Sequence, residues 1–412
     1  LNVAVQGEGG RAGSAGPRRR RLRDALVVAE VALSALLVIG AGLLLRSLHN
    51  LRAVDPGFRT EQVMKLDLRL PEARYPQSFS DYPNWSQITA FHARLVERTA
   101  GLPGVVEAAV AGSHPLDPGF TTSFVIDGRE GEAEQQPEIS IRPVTSGYFG
   151  TLGVPLRRGR MLDQRDGSGA PPVLVINEAA ARRFFAGRDP LGQRISFWGH
   201  SREVIGVVAN ERFRGLGEAA PPAAYPPIAQ TPLAEATLLV RATGDPAALV
   251  PALREAVWSL DPDLALSGVE PLDRTLSDSI ARPRFTTLLL GIFAALAVLL
   301  ASIGIHGLLG YAVVQRTREI GIRLALGAPR HRLLGEVVGR GVVLTLFGVG
   351  LGLLGAVGLA RLLRGLLFGV APTDPAIFAA TPLILAAVAV LASCLPARRA
   401  TRVDPMIALR SE

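Results

Sequence analysis

Four long apolar runs divide this chain, and their positions set its plan. Residues 24–46, 283–314, 333–363 and 376–395 can each cross the bilayer as a helix, which takes roughly 20 residues to span about 30 Å of hydrocarbon. The second run is longer than a bilayer requires. The fourth is expected to stop at Pro396, because proline removes a helix hydrogen bond. The third is rich in glycine, and its Gly348 and Gly352 form a small-xxx-small pair that lets helix backbones approach closely.

The segment between the first two runs, residues 47–282, has mixed polarity and its own periodicity. Residues 63–70 alternate as a strand, 86–101 repeat as a helix and 105–111 form a second strand. The same order returns later, with a strand at 237–241, a helix at 246–260 and a strand at 264–269. Residues 173–176 and 203–208 are apolar strands in the middle, with a helix over 178–185. The fold class expected is a membrane α-helical protein with four transmembrane helices and a large extracytoplasmic α+β domain. That domain is split, with two β-α-β units flanking an inserted, mainly β subdomain over residues 145–231.

Charge gives the orientation. The net charge is +8, and Lys65 is the only lysine, so the excess is arginine. Arginines crowd the basic N-terminal segment 1–23, the segment 315–332 and the tail 396–412. Short basic loops stay on the cytoplasmic side, so both termini are expected inside, with 47–282 and the short loop 364–375 outside. Arg46, Arg282 and Arg284 weaken that contrast. Because the arginines track the ends of apolar runs, a lipid membrane is the expected partner and nucleic acid is not.

Catalytic chemistry is not evident in these residues. The one cysteine, Cys394, excludes an intrachain disulfide, and the six histidines are scattered without metal-site spacing. A phosphate-cradling loop needs a lysine after its last glycine, whereas Lys65 sits in a strand. Ser113, His114 and Asp117 are neighbours in sequence only, which does not make a triad. No catalytic or metal residue is assigned. Two polar side chains fall inside apolar runs: His306, expected to face a neighbouring helix or water, and Glu30, which reads either as paired with an arginine or as a carboxylate used in transport.

One short segment stands apart. In residues 315–329, Arg316, Glu319, Ile320, Arg323, Leu324 and Gly327 recur every three or four positions. This predicts a short amphipathic helix on the cytoplasmic face, stopped by Gly327 and Pro329. It either pads the interface or docks in the groove of a partner.

The run Arg-Glu-Ile-Gly-Ile-Arg-Leu-Ala-Leu-Gly-Ala from Arg318 to Ala328 resembles the signature loop of MacB/FtsX-type ABC transporter permeases. The tail from Leu395 to Arg410 is similar to the C-terminal signature of that family. Gly147-Tyr148-Phe149, Leu152-Gly153-Val154-Pro155, Val175-Ile176-Asn177-Glu178 and Asp189-Pro190-Leu191-Gly192 resemble the MacB periplasmic core domain. Leu366 to Pro375 resembles the second half of the duplicated orphan permeases of acidobacteria, and the chain reads as one such half. The resemblance implies a non-catalytic permease subunit in the bacterial inner membrane, with no cofactor of its own. ATP and Mg would be bound by a separate ABC ATPase subunit, contacted through Arg316, Arg318, Glu319, Ile320, Gly321, Arg323, Leu324 and Gly327. It further implies a second permease unit, as a homodimer or a fused half, and a place for a periplasmic adaptor. Efflux by mechanotransmission is the expected function. The alternative is an FtsX-like regulator that activates a periplasmic partner such as a cell-wall hydrolase; a membrane-anchored sensor or enzyme would need an output or catalytic domain that this sequence does not show.

Overall fold

The structure is a computed structural model that describes residues 17–129, 137–315 and 329–400. The chain divides into two compact units: Val54–Ala281, and the membrane helices on either side of it in sequence.

In the Val54–Ala281 unit, four strands form an antiparallel sheet: β1 (Val63–Arg69), β2 (Val105–Ala111), β11 (Glu235–Ala242) and β12 (Leu266–Pro271), in the order β12-β1-β11-β2. Helix α2 (Ser86–Ala100) joins β1 to β2, and α5 (Val250–Trp258) joins β11 to β12. This is a split β-α-β arrangement of the ferredoxin-like type. Met64, Leu66 and Leu68 point from β1 into a core with Ile88, Phe91 and Leu95 of α2 and Leu253 and Val257 of α5. Val63, Ala109 and Leu239 occupy a second core on the opposite face, with Tyr148, Phe149, Phe213 and Tyr225. Burial on both faces explains why these strands read as nearly continuous apolar runs. Lys65 is buried and neutralised by Asp67 at 2.8 Å and Glu270 at 3.6 Å.

A second sheet is inserted between β2 and β11. It holds β3 (Phe120–Ser123), β4 (Val125–Ile126), β5 (Glu138–Ile141), β6 (Leu156–Gly159), β7 (Val173–Asn177), β8 (Arg194–Phe197), β9 (His200–Val208) and β10 (Ala223–Tyr225). The order is β3-β5-β10-β7-β9-β8-β4, with β6 also paired to β9. The insertion therefore begins ahead of residue 145, because β3, β4 and β5 belong to it. These strands are two to four residues long, too short to carry a periodic signal. Two short helices, α3 (Tyr148–Leu152) and α4 (Glu178–Phe184), accompany the sheet. Asn177 starts α4 by accepting from Ala180 N at 2.9 Å, and its amide also donates to Pro221 O.

After β12 comes α6 (Leu272–Ser279). The membrane unit consists of α1 (Pro17–Arg52), α7 (Ala281–Gln315), α8 (Arg330–Leu362) and α9 (Pro375–Ala400). Each contains a stretch long and apolar enough to cross a membrane. Helix α9 runs past Pro396 to Ala400, so that proline does not end it. Val27, Val31, Ala35, Ala301, Ile305, Val349, Leu385 and Ala389 form one core among the four helices. Leu299, Leu300, Leu354 and Leu391 are exposed, which suits a surrounding of lipid.

Candidate functional site

The segment singled out for docking lies outside the described residues: Arg316, Arg318, Glu319, Ile320, Gly321, Arg323, Leu324 and Gly327 all fall there. The helices on either side of it are described: α7 ends at Gln315 and α8 begins at Arg330. A contact with residues 316–328 thus acts on a segment joined directly to two of the membrane helices.

Gly348 and Gly352 face α1. A Cβ on Gly348 would lie 2.7 Å from Val31 Cβ and 2.9 Å from Val28 O. One on Gly352 would lie 2.6 Å from Ala35 Cβ and 2.7 Å from Ala32 O. Backbone therefore meets backbone here, the close approach that small residues allow in lipid. Glu30 sits on the same helix α1 with its Oε2 against Gly304 of α7. That oxygen is buried and has no hydrogen-bond partner among the described residues, and no ion pair of Glu30 is seen among them. His306 turns its Nδ1 toward Ala392 O of α9, at 3.3 Å. Glu30 and His306 are therefore held at different helix contacts.

At the other end of the helices, the loop before α9 is fastened to α1. Arg46 pairs with Asp374 at 2.7 Å, and Asp374 also accepts from Ala376 N at the start of α9. Ser47 Oγ accepts from Phe368 N, and Asn50 donates to Gly369 O. Arg46, which weakened the charge contrast between the two sides, is thus neutralised locally.

The Val54–Ala281 unit contains a buried polar cluster that sequence reasoning missed. Glu211 is fully buried and accepts from Tyr148 Oη at 2.9 Å and Tyr225 Oη at 2.5 Å. Burial pushes the Glu211 carboxyl up, while Arg142 and the two tyrosines pull it down. Burial and then the Glu211 charge drive both tyrosine hydroxyls well above their ordinary value, so they remain donors. Arg142 donates to Asp117 O and His114 O, each at 2.8 Å, and its guanidinium lies 4.3 Å from the Phe213 ring centre. His114 Nδ1 accepts from Leu116 N and Asp117 Oδ1 from Gly119 N. Ser113, His114 and Asp117 therefore form a turn that serves Arg142. Among the described residues no cluster of histidine, cysteine and carboxylate side chains could hold a metal.

Residues 25–257 match the MacB-like periplasmic core domain, and residues 291–405 match the FtsX-like permease C-terminal domain. The first match alone spans more than half of the chain. The chain belongs to the MacB/FtsX-type family of ABC transporter permeases. It is similar to the macrolide export ATP-binding/permease protein MacB of Hahella chejuensis, 27% identical over 341 residues, which are 77% of this chain and 50% of that one. It is also similar to the pyoverdine export ATP-binding/permease protein PvdT of Pseudomonas syringae pv. tomato, 28% identical over 272 residues, 63% of this chain and 40% of that one. The chain thus spans about half the length of the curated relatives it matches. Among solved structures, the periplasmic region of MacB from Actinobacillus actinomycetemcomitans aligns over 57% of this chain and 97% of its own, at 18% identity and a TM-score of 0.36.

Proposed function

We propose that this chain is the membrane-embedded permease of an inner-membrane export system driven by a separate ATP-binding subunit that holds the ATP and Mg. In this reading both termini and residues 315–332 are cytoplasmic, and Val54–Ala281 is periplasmic. The ATPase grips Arg316, Arg318, Glu319, Ile320, Gly321, Arg323, Leu324 and Gly327, and its cycle moves α7 and, through α1 and α7, the periplasmic unit. The observation that carries the reading is the FtsX-like match over residues 291–405, which runs through a basic, three-to-four-periodic segment joining two membrane helices. A second permease unit completes the assembly. The small buried share of α7, 17% of its apolar window against 39% for α1, supports a helix with room for a neighbour. A periplasmic adaptor would receive the motion. The similarity to macrolide and pyoverdine exporters supports export of a small organic molecule.

The test is a pull-down of the ATPase by the full chain in reconstituted membranes, with hydrolysis measured alongside. Glu319 and Arg323 can pair on a helix, but an exposed pair contributes only about 0.3–0.5 kcal/mol to it. Loss of a charged contact buried at an interface costs about 2–5 kcal/mol. Glu319→Ala and Arg323→Ala should therefore leave membrane insertion intact and lower ATPase association at least about thirtyfold. Variants that bind and stimulate the ATPase like the parent would return this segment to a padding role.

A further inference from the structure

Within the membrane unit, α1 and α7 leave a groove of about 420 Å³ between them. Leu26 and Val27 of α1 form one wall, Gly304 and Gly307 of α7 the other, and Arg23 and Tyr311 stand at its mouth. On each helix these positions recur every three or four residues, so each wall is one helix face. A Cβ on Gly307 would meet nothing within 4 Å, so the groove is open there. A Cβ on Gly304 would strike Glu30 Oε2 and lie 3.7 Å from Val27 Cγ2, so there the helices close. From Tyr311 to Gly304 is seven residues of helix, a depth of about 10 Å.

The mouth lies at one edge of the bilayer. The apolar run of α1 begins just after Arg23, and the membrane-spanning stretch of α7 ends at Tyr311. The Arg23 guanidinium is 4.4 Å from the Tyr311 ring centre, so the two stand at one level, where arginine and tyrosine meet headgroups. The groove therefore runs from headgroup level into hydrocarbon, the course of an acyl chain. Arg23 is exposed, and among the described residues no hydrogen bond or ion pair holds it. The tyrosine ring takes one face of the guanidinium and leaves its N–H edges, which suit a phosphate. No acidic side chain lines the groove, Asp24 and Glu30 included. A helix of a second copy laid over it would bury this cation without a counter-charge, which is costly. A phospholipid brings the counter-charge in its own phosphate. The ammonium of a zwitterionic lipid would find no carboxylate here, so an anionic headgroup fits better.

We propose that this groove binds one anionic phospholipid, with its phosphate on the Arg23 guanidinium and one acyl chain laid over Gly307 toward Gly304. Basic pockets between membrane helices hold anionic headgroups in this way. The site does not depend on whether the chain couples to an ATPase.

The experiment is native mass spectrometry of the full chain, titrated separately with phosphatidylglycerol and phosphatidylcholine of the same acyl chains. One phosphatidylglycerol should be retained, at least about fivefold more tightly than phosphatidylcholine. Excess inorganic phosphate should not displace it, because it brings no chain. Arg23→Gln should reduce the retention to that of phosphatidylcholine. Arg21→Gln removes an exposed arginine that does not line the groove, and should change the preference by no more than about twofold. Gly307→Leu fills the open space without meeting a neighbour, and should weaken retention at least about fivefold even if Arg23→Gln fails to fold. Equal retention of the two lipids, displacement by phosphate, equal losses in Arg21→Gln and Arg23→Gln, or full retention in Arg23→Gln or Gly307→Leu would each overturn the proposal. So would a dimer that carries no lipid, which would give the groove to a second copy.

Discussion

The cores of the Val54–Ala281 unit are filled by large rings and by polar groups that satisfy one another. Phe91, Tyr148, Phe149, Phe213 and Tyr225 are essentially inaccessible, and Glu211 lies among them with two tyrosine donors. In the membrane unit helices meet instead through residues without a side chain: Gly348 and Gly352 lie against Val31 and Ala35. The difference follows from the solvent. In water, burying rings is itself the driving force, and a polar group can be carried inside if it is fully bonded. In lipid, apolar side chains gain little by leaving the surroundings, so attraction comes from close backbone approach, and bulk at the contact is harmful. Glu30, with an orphaned buried oxygen, marks where the membrane unit departs from this economy of polar groups.

The largest effect that would break the comparison lies at Glu211. Glu211→Ala should strip two buried hydroxyls of their acceptor and leave Arg142 without the nearby carboxylate, costing about 3–5 kcal/mol. Trp85, Trp198 and Trp258 all lie in the Val54–Ala281 unit, so tryptophan fluorescence reads its unfolding separately from the membrane helices. A loss below about 1 kcal/mol would mean that the cluster is not a bonded whole.

His92 sharpens the same point as an exception. It is 1% exposed in α2, and neither ring nitrogen has a partner among the described residues. Burial pushes its pKa down from 6.5 to about 4. Between those values the unfolded chain binds the proton and the folded chain does not. The stability of the unit should be whole above about pH 6.5 and fall as pH drops toward 4, by up to about 3 kcal/mol. His92→Leu should remove most of that slope in fluorescence melts run across the window. An unchanged slope would assign the acid sensitivity to other groups.

Much of this fold could be read in the sequence because its signals are local. The membrane runs are long and uniform, and β1, α2, β2, β11 and α5 carry clear periods. The first inserted strands were not legible, since Phe120–Ser123 is half polar and Val125–Ile126 has two residues. The Glu211 cluster was not legible either: Tyr148 lies 63 positions away, and nothing local distinguishes Glu211 from a solvated carboxylate. Arg202 sits in an alternating strand and reads as an outward charge, and only the structure, with the Phe197 ring stacked on its guanidinium, reveals its burial. Gly348 and Gly352 were visible as a pair, but which helix they meet depends on the tertiary structure.

That pair gives the smallest and most discriminating test. Gly352→Ala would set a Cβ within 2.6 Å of Ala35 Cβ and 2.7 Å of Ala32 O, so α1 and α8 must separate. Overpacking of this kind costs about 1–3 kcal/mol. Gly350 is the internal control, because a Cβ there meets nothing within 4 Å, and Gly350→Ala should be neutral or slightly stabilising through helix propensity. Cys394, the single cysteine, lies in α9 and is half-buried, so a thiol-reactive dye reports the melting of the membrane unit. The expected result is a lower midpoint for Gly352→Ala alone. Ala35→Gly should then restore part of it, since it removes the clash with Ala35 Cβ, but not all, since the Ala32 carbonyl is backbone and cannot be trimmed. Equal losses in Gly350→Ala and Gly352→Ala would show that glycine serves the helix itself and not its contact with α1. Full rescue by Ala35→Gly would show that side-chain bulk, and not backbone proximity, limits the approach.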